Sequence, residues 1–312
     1  MTAKRALIIV NTGSPECSIS SIKTFLKLFL TDKHVIRIPK ALWYPILYGF
    51  ILRRRPYALL KKYQKITIDG KTPLIFYEQN IIKKLQIFSE KQNIKPFYAN
   101  LYSPPYIEDV LKICLKEEIS EIKVLPLFAQ YSTVTTKAVI DKFQKHIKGS
   151  CKISFVTDFY ADPLYIKALL KNLSSAKINA DTPLLLAYHS LPKSYLKKDN
   201  LYIKQCIATS EFIAQAIERR CPVYTVFVSQ FGKGKWLGPS LTDILQQLKN
   251  KHIKTVNLMS PGFMLDCLET LYDIKKTAFA YGRREGMEVN YFPCLNDSDE
   301  CIELITSLVR YQ

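Results

Sequence analysis

Three side chains combine residue type and spacing in a way that can do chemistry: His189, Glu269 and Asp266. The chain has only four histidines. His34, His146 and His252 stand among lysines in helical or loop contexts and are expected to be exposed and without a role. His189 differs, because it closes the apolar run LLLAY and precedes SLP, which puts it at the carboxyl end of a strand. Glu269 and Asp266 lie in PGFMLDCLETLY, where a strand ending at Ser260 turns into a helix that also carries Asp273. Three residues apart, the two carboxylates are expected on one helical face. Acidic groups in a first helical turn are favoured by the helix dipole, which accounts for much of Asp266. Glu269 sits deeper, flanked by Leu268 and Leu271, and a carboxylate among apolar neighbours needs a further reason. One imidazole with one or two carboxylates is a ligand set for a divalent metal, iron included, and falls short of the closed set of a structural zinc site. Facing each other across a cleft, such groups suit transient handling of a metal or of a proton.

Short β-branched or leucine-rich runs recur at Ala6–Val10, Ile122–Leu127, Ile153–Val156, Leu184–Ala187, Val223–Val228 and Thr255–Met259. Most are uninterrupted, as expected of strands covered on both faces. Between them lie segments of helical spacing, among them Ile19–Leu30, Tyr77–Phe88, Ile107–Glu117, Tyr202–Arg219 and Leu241–Leu248. The alternation predicts an α/β protein with parallel, doubly wound sheets. IIVNTGSP in the first half is echoed by LLAYHSLP in the second, and IKVLPLF by IKTVNLMSPGF. Two similar lobes are therefore expected, 1–150 and 151–312, each a parallel sheet flanked by helices, the second carrying His189 and Glu269. Ligands of open parallel sheets bind beyond the carboxyl ends of the strands. Asn11–Pro15, Pro126–Thr136, His189–Pro192 and Pro261–Glu269 are thus expected around one cleft between the lobes.

The 312 residues carry 45 Lys and Arg against 27 Asp and Glu, a formal charge of +18. Nucleic acid, an anionic membrane surface or acidic small molecules all suit that balance. The cations are scattered in pairs with no basic stripe, RNA-module signature or stacking platform, so no nucleic-acid partner is expected. The eight cysteines contain no CxxC pair, and no signal-peptide pattern opens the chain; reduced structural thiols and a cytoplasmic location follow. No apolar stretch reaches the roughly 20 residues that span a bilayer. The nearest, ALWYPILYGFIL at 41–52, ends in Arg53, Arg54 and Arg55 and reads either as a core helix or as an apolar lip dipping into an anionic membrane. Its tryptophan and two tyrosines suit an interface, and on the residues alone both readings stay open.

Taken in order, LIIVNTGSPE, FLTDKHVIRIPKALWYPILYGFIL, LPLFAQYSTVTT, AYHSLPKSY, KWLGPS and PGFMLDCLETLYDI resemble the ferrochelatase family nearly end to end. The resemblance implies two Rossmann-like lobes with a porphyrin between them, and insertion of ferrous iron into protoporphyrin IX with release of two protons, the last step of haem biosynthesis. His189 matches the family's active-site histidine and Glu269 the glutamate of its D-x-x-E-T-L motif, a catalytic and metal-handling pair, with Asp266 as a further metal group. An imidazole, with an ordinary pKa near about 6.5, can take pyrrole protons around neutral pH. Thr12, Tyr102, Tyr131, Trp236 and Phe263 fall at family positions that bind the porphyrin.

This chain departs from the family pattern at Cys267, where many relatives have a second histidine, at Val228 and Gln230 in place of the Gln and Arg of Q-S-R, and at Asp199-Asn200 in place of Gly-Asp. No cysteine-rich tail is present, so no iron-sulfur cluster and no permanently bound cofactor are expected; iron is a substrate. The alternatives within the superfamily are a coproporphyrin ferrochelatase or another tetrapyrrole chelatase; outside it, a non-catalytic haem-binding protein. The apolar segment at 41–52 favours protoporphyrin, a dicarboxylate that partitions into membranes.

Overall fold

The computed structural model describes residues 4–89, 94–147, 151–175, 178–229 and 234–309. The chain forms two compact units, one of Met1–Leu127, Thr133–Thr157 and Thr306–Gln312, the other of Phe128–Ser132 and Asp158–Ile305. The excursion at Phe128–Ser132 places Tyr131, early in the chain, with the unit that carries His189.

In the first unit β1 (Arg5–Asn11), α1 (Ile19–Thr31), α2 (Lys40–Ile46), α3 (Leu52–Tyr63), α4 (Pro73–Ser89), β2 (Ile94–Asn100), α5 (Ile107–Lys116), β3 (Glu121–Pro126), α6 (Thr136–His146) and β4 (Lys152–Phe155) build a parallel sheet of order β2-β1-β3-β4. Ala6 to Asn11 are all buried, as an inner strand requires. β2 lies outside the apolar runs read from the sequence, because Lys95 and Pro96 interrupt it. An edge strand tolerates both, since Lys95 points to solvent and proline forfeits no ladder bond on the open side.

The second unit contains α7 (Pro163–Asn172), β5 (Leu184–His189), α8 (Leu196–Ala216), β6 (Val223–Val228), α9 (Leu241–Asn250), β7 (Thr255–Met259), α10 (Lys275–Glu285), β8 (Glu288–Tyr291) and α11 (Asp299–Leu308). Its sheet, again parallel, runs β6-β5-β7-β8 and repeats the strand order of the first. Winding reverses between β1 and β3 in one unit and between β5 and β7 in the other, so each has a switch point where strand-end loops diverge. Glycine is required beside both. A Cβ on Gly13, whose φ is +89°, would fall 2.2 Å from Ser103 Oγ; one on Gly262 would fall 3.1 Å from the Tyr188 ring.

The apolar segment at 41–52 is neither wholly core nor wholly lip. α2 runs through a π turn at Leu47–Ile51 into α3. Trp43 and Leu47 are buried, and Trp43 Nε1 donates to Leu30 O at 2.7 Å, satisfying a carbonyl near the end of α1. The tryptophan assigned above to an interface is therefore an anchor. The opposite side exposes Leu42 at 66% and Phe50 at 63%, with Ile46 and Tyr48 also exposed. Of the arginines, Arg53 and Arg54 are exposed and Arg55 is half-buried. No helix among the described residues is long and apolar enough to cross a membrane.

His34, expected to be exposed, instead bridges two carboxylates, with Nδ1 2.9 Å from Asp32 Oδ1 and Nε2 2.9 Å from Asp141 Oδ2. The Asp32 bond first, and then that from Asp141, raise its pKa against the opposing effect of burial. Lysines nearby in sequence said nothing of Asp141, 107 positions away.

Glu78 in α4 is 1% exposed, and its described partner is the Asn100 amide, whose nitrogen donates at 3.1 Å in the orientation that also satisfies Ala99 O. Burial pushes its pKa from 4.5 up to about 8. A carboxyl raised in the folded state stabilises the fold when protonated; that contribution is complete below about pH 4.5 and is lost as pH rises through about 8. Glu78→Gln should remove this slope, leaving stability near pH 4 unchanged and raising it near pH 9 by at least about 1 kcal/mol, about 2–4 °C in Tm. Parallel pH profiles of Tm for the two proteins would contradict a neutral Glu78.

Candidate active site

His189 is the last residue of β5, held between β6 and β7, and its side chain emerges half-buried at the switch point of the second sheet. Its Nδ1 lies 2.7 Å from the Ser190 carbonyl oxygen. A carbonyl only accepts, so Nδ1 carries the proton of a neutral ring and Nε2 keeps its lone pair. Among the described residues Nε2 has no hydrogen-bond partner. The Phe263 ring, from the turn after β7, stands 6.4 Å away, tilted by 45°. That turn is fixed from below by the buried Tyr165 of α7, whose hydroxyl donates to Pro261 O.

Asp266 and Glu269 do not share a regular helical face. Asp266 precedes the helix, and Glu269–Ile274 form a π turn closed by a bond from Lys275 N–H to Thr270 O. A π turn inserts an extra residue per turn and recurs at functional sites. Asp266 is 2% exposed and accepts from Thr270 Oγ1 at 2.8 Å, Tyr291 OH at 3.0 Å and Asn296 Nδ2 at 2.8 Å. Those three donors satisfy the buried carboxyl group. Through them Asp266 ties the turn after β7 and the end of β8 to the π turn.

Glu269 is half-buried at the start of that turn, beside Cys267. Desolvation, and then the Glu269 carboxylate, push the Cys267 thiol well above its ordinary range, so a protonated sulfur stands where a second imidazole was looked for. Among the described residues no three of His, Cys, Asp and Glu converge on a closed metal site.

The porphyrin-binding expectations divide. In the second unit Phe263, Trp236 and Tyr131 are half-buried. Trp236 sits in a segment bridged to Pro192, next to the His189 loop, and the Tyr131 N–H donates to Gln205 Oε1 of α8 at 2.6 Å. In the first unit Thr12 follows β1, half-buried. Tyr102, at 3% exposure, packs its ring against Phe25 and Phe29 and donates its hydroxyl to Asp32. Gln230 lies outside the described residues, and Val228 ends β6 as the register partner of His189. Residues that hold His189, notably Tyr202 and Leu237, carried no sequence signal, since a tyrosine in a helix announces nothing about where its hydroxyl ends.

Two parallel sheets of one strand order are also the fold of known chelatases. SirB from Bacillus subtilis with Fe3+ matches with a TM-score of 0.60 at 13% identity over 98% of this chain and 94% of that one. The sirohydrochlorin chelatase SirB from Bacillus subtilis subspecies spizizenii in complex with cobalt matches at 0.55 and 12%, over 98% and 94% of the two chains. These likenesses show the fold, an α/β protein of two parallel sheets. The ferrochelatase family model matches residues 4–312, and curated relatives include ferrochelatase of Vibrio cholerae, 34% identical over 98% of both chains. Coproporphyrin III ferrochelatase of Enterococcus faecalis is 32% identical over 98% of this chain and 99% of its own length. The chain belongs to the ferrochelatase family and is a metal-chelating lyase whose substrates are a porphyrin and ferrous iron.

The two carboxylates should separate in stability measurements. Asp266→Asn removes a charge that three donors address and is expected to lower the unfolding free energy by about 1.5–3 kcal/mol. Glu269→Gln should stay within about 0.5 kcal/mol of the parent. Denaturant titration of both variants reads the difference, and equal losses would refute the structural role of Asp266.

Proposed function

We propose that this chain inserts ferrous iron into protoporphyrin IX, with His189 accepting a pyrrole proton at Nε2 and Glu269 relaying iron or the second proton. The observation that carries the reading is the bond from His189 Nδ1 to Ser190 O, which leaves Nε2 as the basic nitrogen. Metal entry expels two N–H protons from the macrocycle, so a site needs a base with a lone pair aimed outward and unspent on the protein. Phe263, against His189, offers an apolar face for a flat ring, and Trp236 and Tyr131 add to it in the same unit. A bent macrocycle presents a pyrrole lone pair to the metal, and binding energy spent on that distortion lowers the barrier. No nucleic acid, resident metal or iron-sulfur cluster enters this reading; five of the eight cysteines are buried.

The exposed apolar strip beside Arg53 and Arg54 supports protoporphyrin over a tetracarboxylate, and with it a peripheral contact on the inner face of the cytoplasmic membrane. The relationship to a coproporphyrin III ferrochelatase at 32% identity keeps that substrate as the second reading. Anaerobic incubation with ferrous iron and either porphyrin, followed by loss of the free-base bands, discriminates them: protoporphyrin IX should turn over faster, and the opposite order would transfer the assignment to coproporphyrin III. In the same assay His189→Ala should lose about a hundredfold to ten-thousandfold in rate while still binding porphyrin. Glu269→Gln should lose most iron insertion; wild-type rates in either variant would remove that residue from the mechanism.

For the membrane contact, Leu42→Ser, Ile46→Ser and Phe50→Ser target the exposed side and spare Trp43 and Leu47. Together they should weaken flotation with anionic liposomes at unchanged Tm, with Arg53 and Arg54 adding a salt-sensitive part of about 1 kcal/mol each. Undiminished flotation would dissociate the strip from the membrane.

A further inference from the structure

The peptide that follows His189 is held at more points than a strand end requires. Tyr202, buried in α8, donates its hydroxyl to the His189 carbonyl at 2.9 Å, and the Ser190 N–H donates to Val228 O at 2.7 Å, so the peptide between the two residues is gripped on both sides. Ser190 itself is fully buried, and its Oγ donates to Leu237 O at 2.8 Å. Its carbonyl is the group that accepts from His189 Nδ1.

A simple loop staple would account for Ser190 Oγ if nothing else joined the two loops. They are already joined, by Leu237 N–H to Leu191 O at 2.9 Å and Lys193 N–H to Lys235 O at 2.8 Å. The serine hydroxyl is redundant as a staple but not as a restraint on its own carbonyl. That carbonyl matters because a neutral imidazole free in water favours the proton on Nε2. In that tautomer the outward nitrogen is a donor, unable to take a pyrrole proton or offer a lone pair to iron.

We propose that Tyr202 and Ser190 are positioning residues that hold the Ser190 carbonyl where it takes the Nδ1 proton of His189, and so keep Nε2 unprotonated toward the substrate. The proposal rests on the reading of His189 as the proton acceptor. Neither residue touches the reacting atoms; both act through the tautomer of one ring.

The test uses the full chain labelled with 15N-histidine, in which only four rings contribute and His189→Ala assigns the signal of interest. Long-range 1H–15N spectra of neutral His189 should show Nδ1 protonated in the wild type. Tyr202→Phe and Ser190→Ala should each shift that ring toward the opposite tautomer and lower kcat about tenfold, leaving KM for the porphyrin within about twofold. A wild-type ring protonated on Nε2, or a folded variant that keeps the wild-type pattern, would overturn the proposal. Should Ser190→Ala fail to fold, Tyr202→Phe decides alone, since it removes one oxygen and no packing volume. The failure of the underlying reading has a different signature, namely turnover retained in His189→Ala, and the tautomer spectrum is independent of it.

Discussion

A parallel strand buried between two others can offer chemistry only at its end, and the functional geometry of the second unit follows from that. Leu184 to Tyr188 are buried, with β6 paired along the whole strand and β7 along Leu184 to Leu186, so His189 is the first side chain of β5 to emerge. The same pairing brings the turn after β7 to the emerging ring, and Gly262 is what lets that turn lie against Tyr188. The imidazole therefore enters a frame of backbone bonds already satisfied, and the frame supplies the acceptor for Nδ1.

Buried charge is handled differently at each place it occurs. Asp266 is satisfied by a threonine, a tyrosine and an asparagine, and thereby binds three segments together. Glu78 has one amide for company, and burial drives it toward the protonated form. His34 takes the third course: its pKa is raised, and the protonated ring donates one N–H to each of two carboxylates. These arrangements stiffen both units and leave His189 Nε2 without a hydrogen-bond partner among the described residues.

The segment around Trp43 shows why a run of apolar residues is ambiguous on its own. Twelve consecutive apolar positions leave no polar face to mark which side is buried. In the fold the π turn at Leu47–Ile51 and the anchoring bond of Trp43 settle the rotation, so that Leu42, Ile46 and Phe50 face outward.

The sequence by itself determined the alternation of strands and helices, the repeated strand order's two halves, and the position of His189 at a strand end, because apolar runs and turn residues are local signals. It also marked Glu269, through neighbours that are apolar within one turn. β2 and β8 escaped it, since Lys95 and Pro96 interrupt one and the other is the short, half-polar EVNY, while the edge strands β4 and β6 carry apolar runs of their own. Tertiary structure alone decided that Asp266 is a structural anchor, that Tyr102 is core, that Tyr131 belongs with the second unit and that His34 meets Asp141. Each of those outcomes depends on a partner far away in the chain, and hydrogen-bond partners brought together by folding leave no trace in the spacing of residues along it.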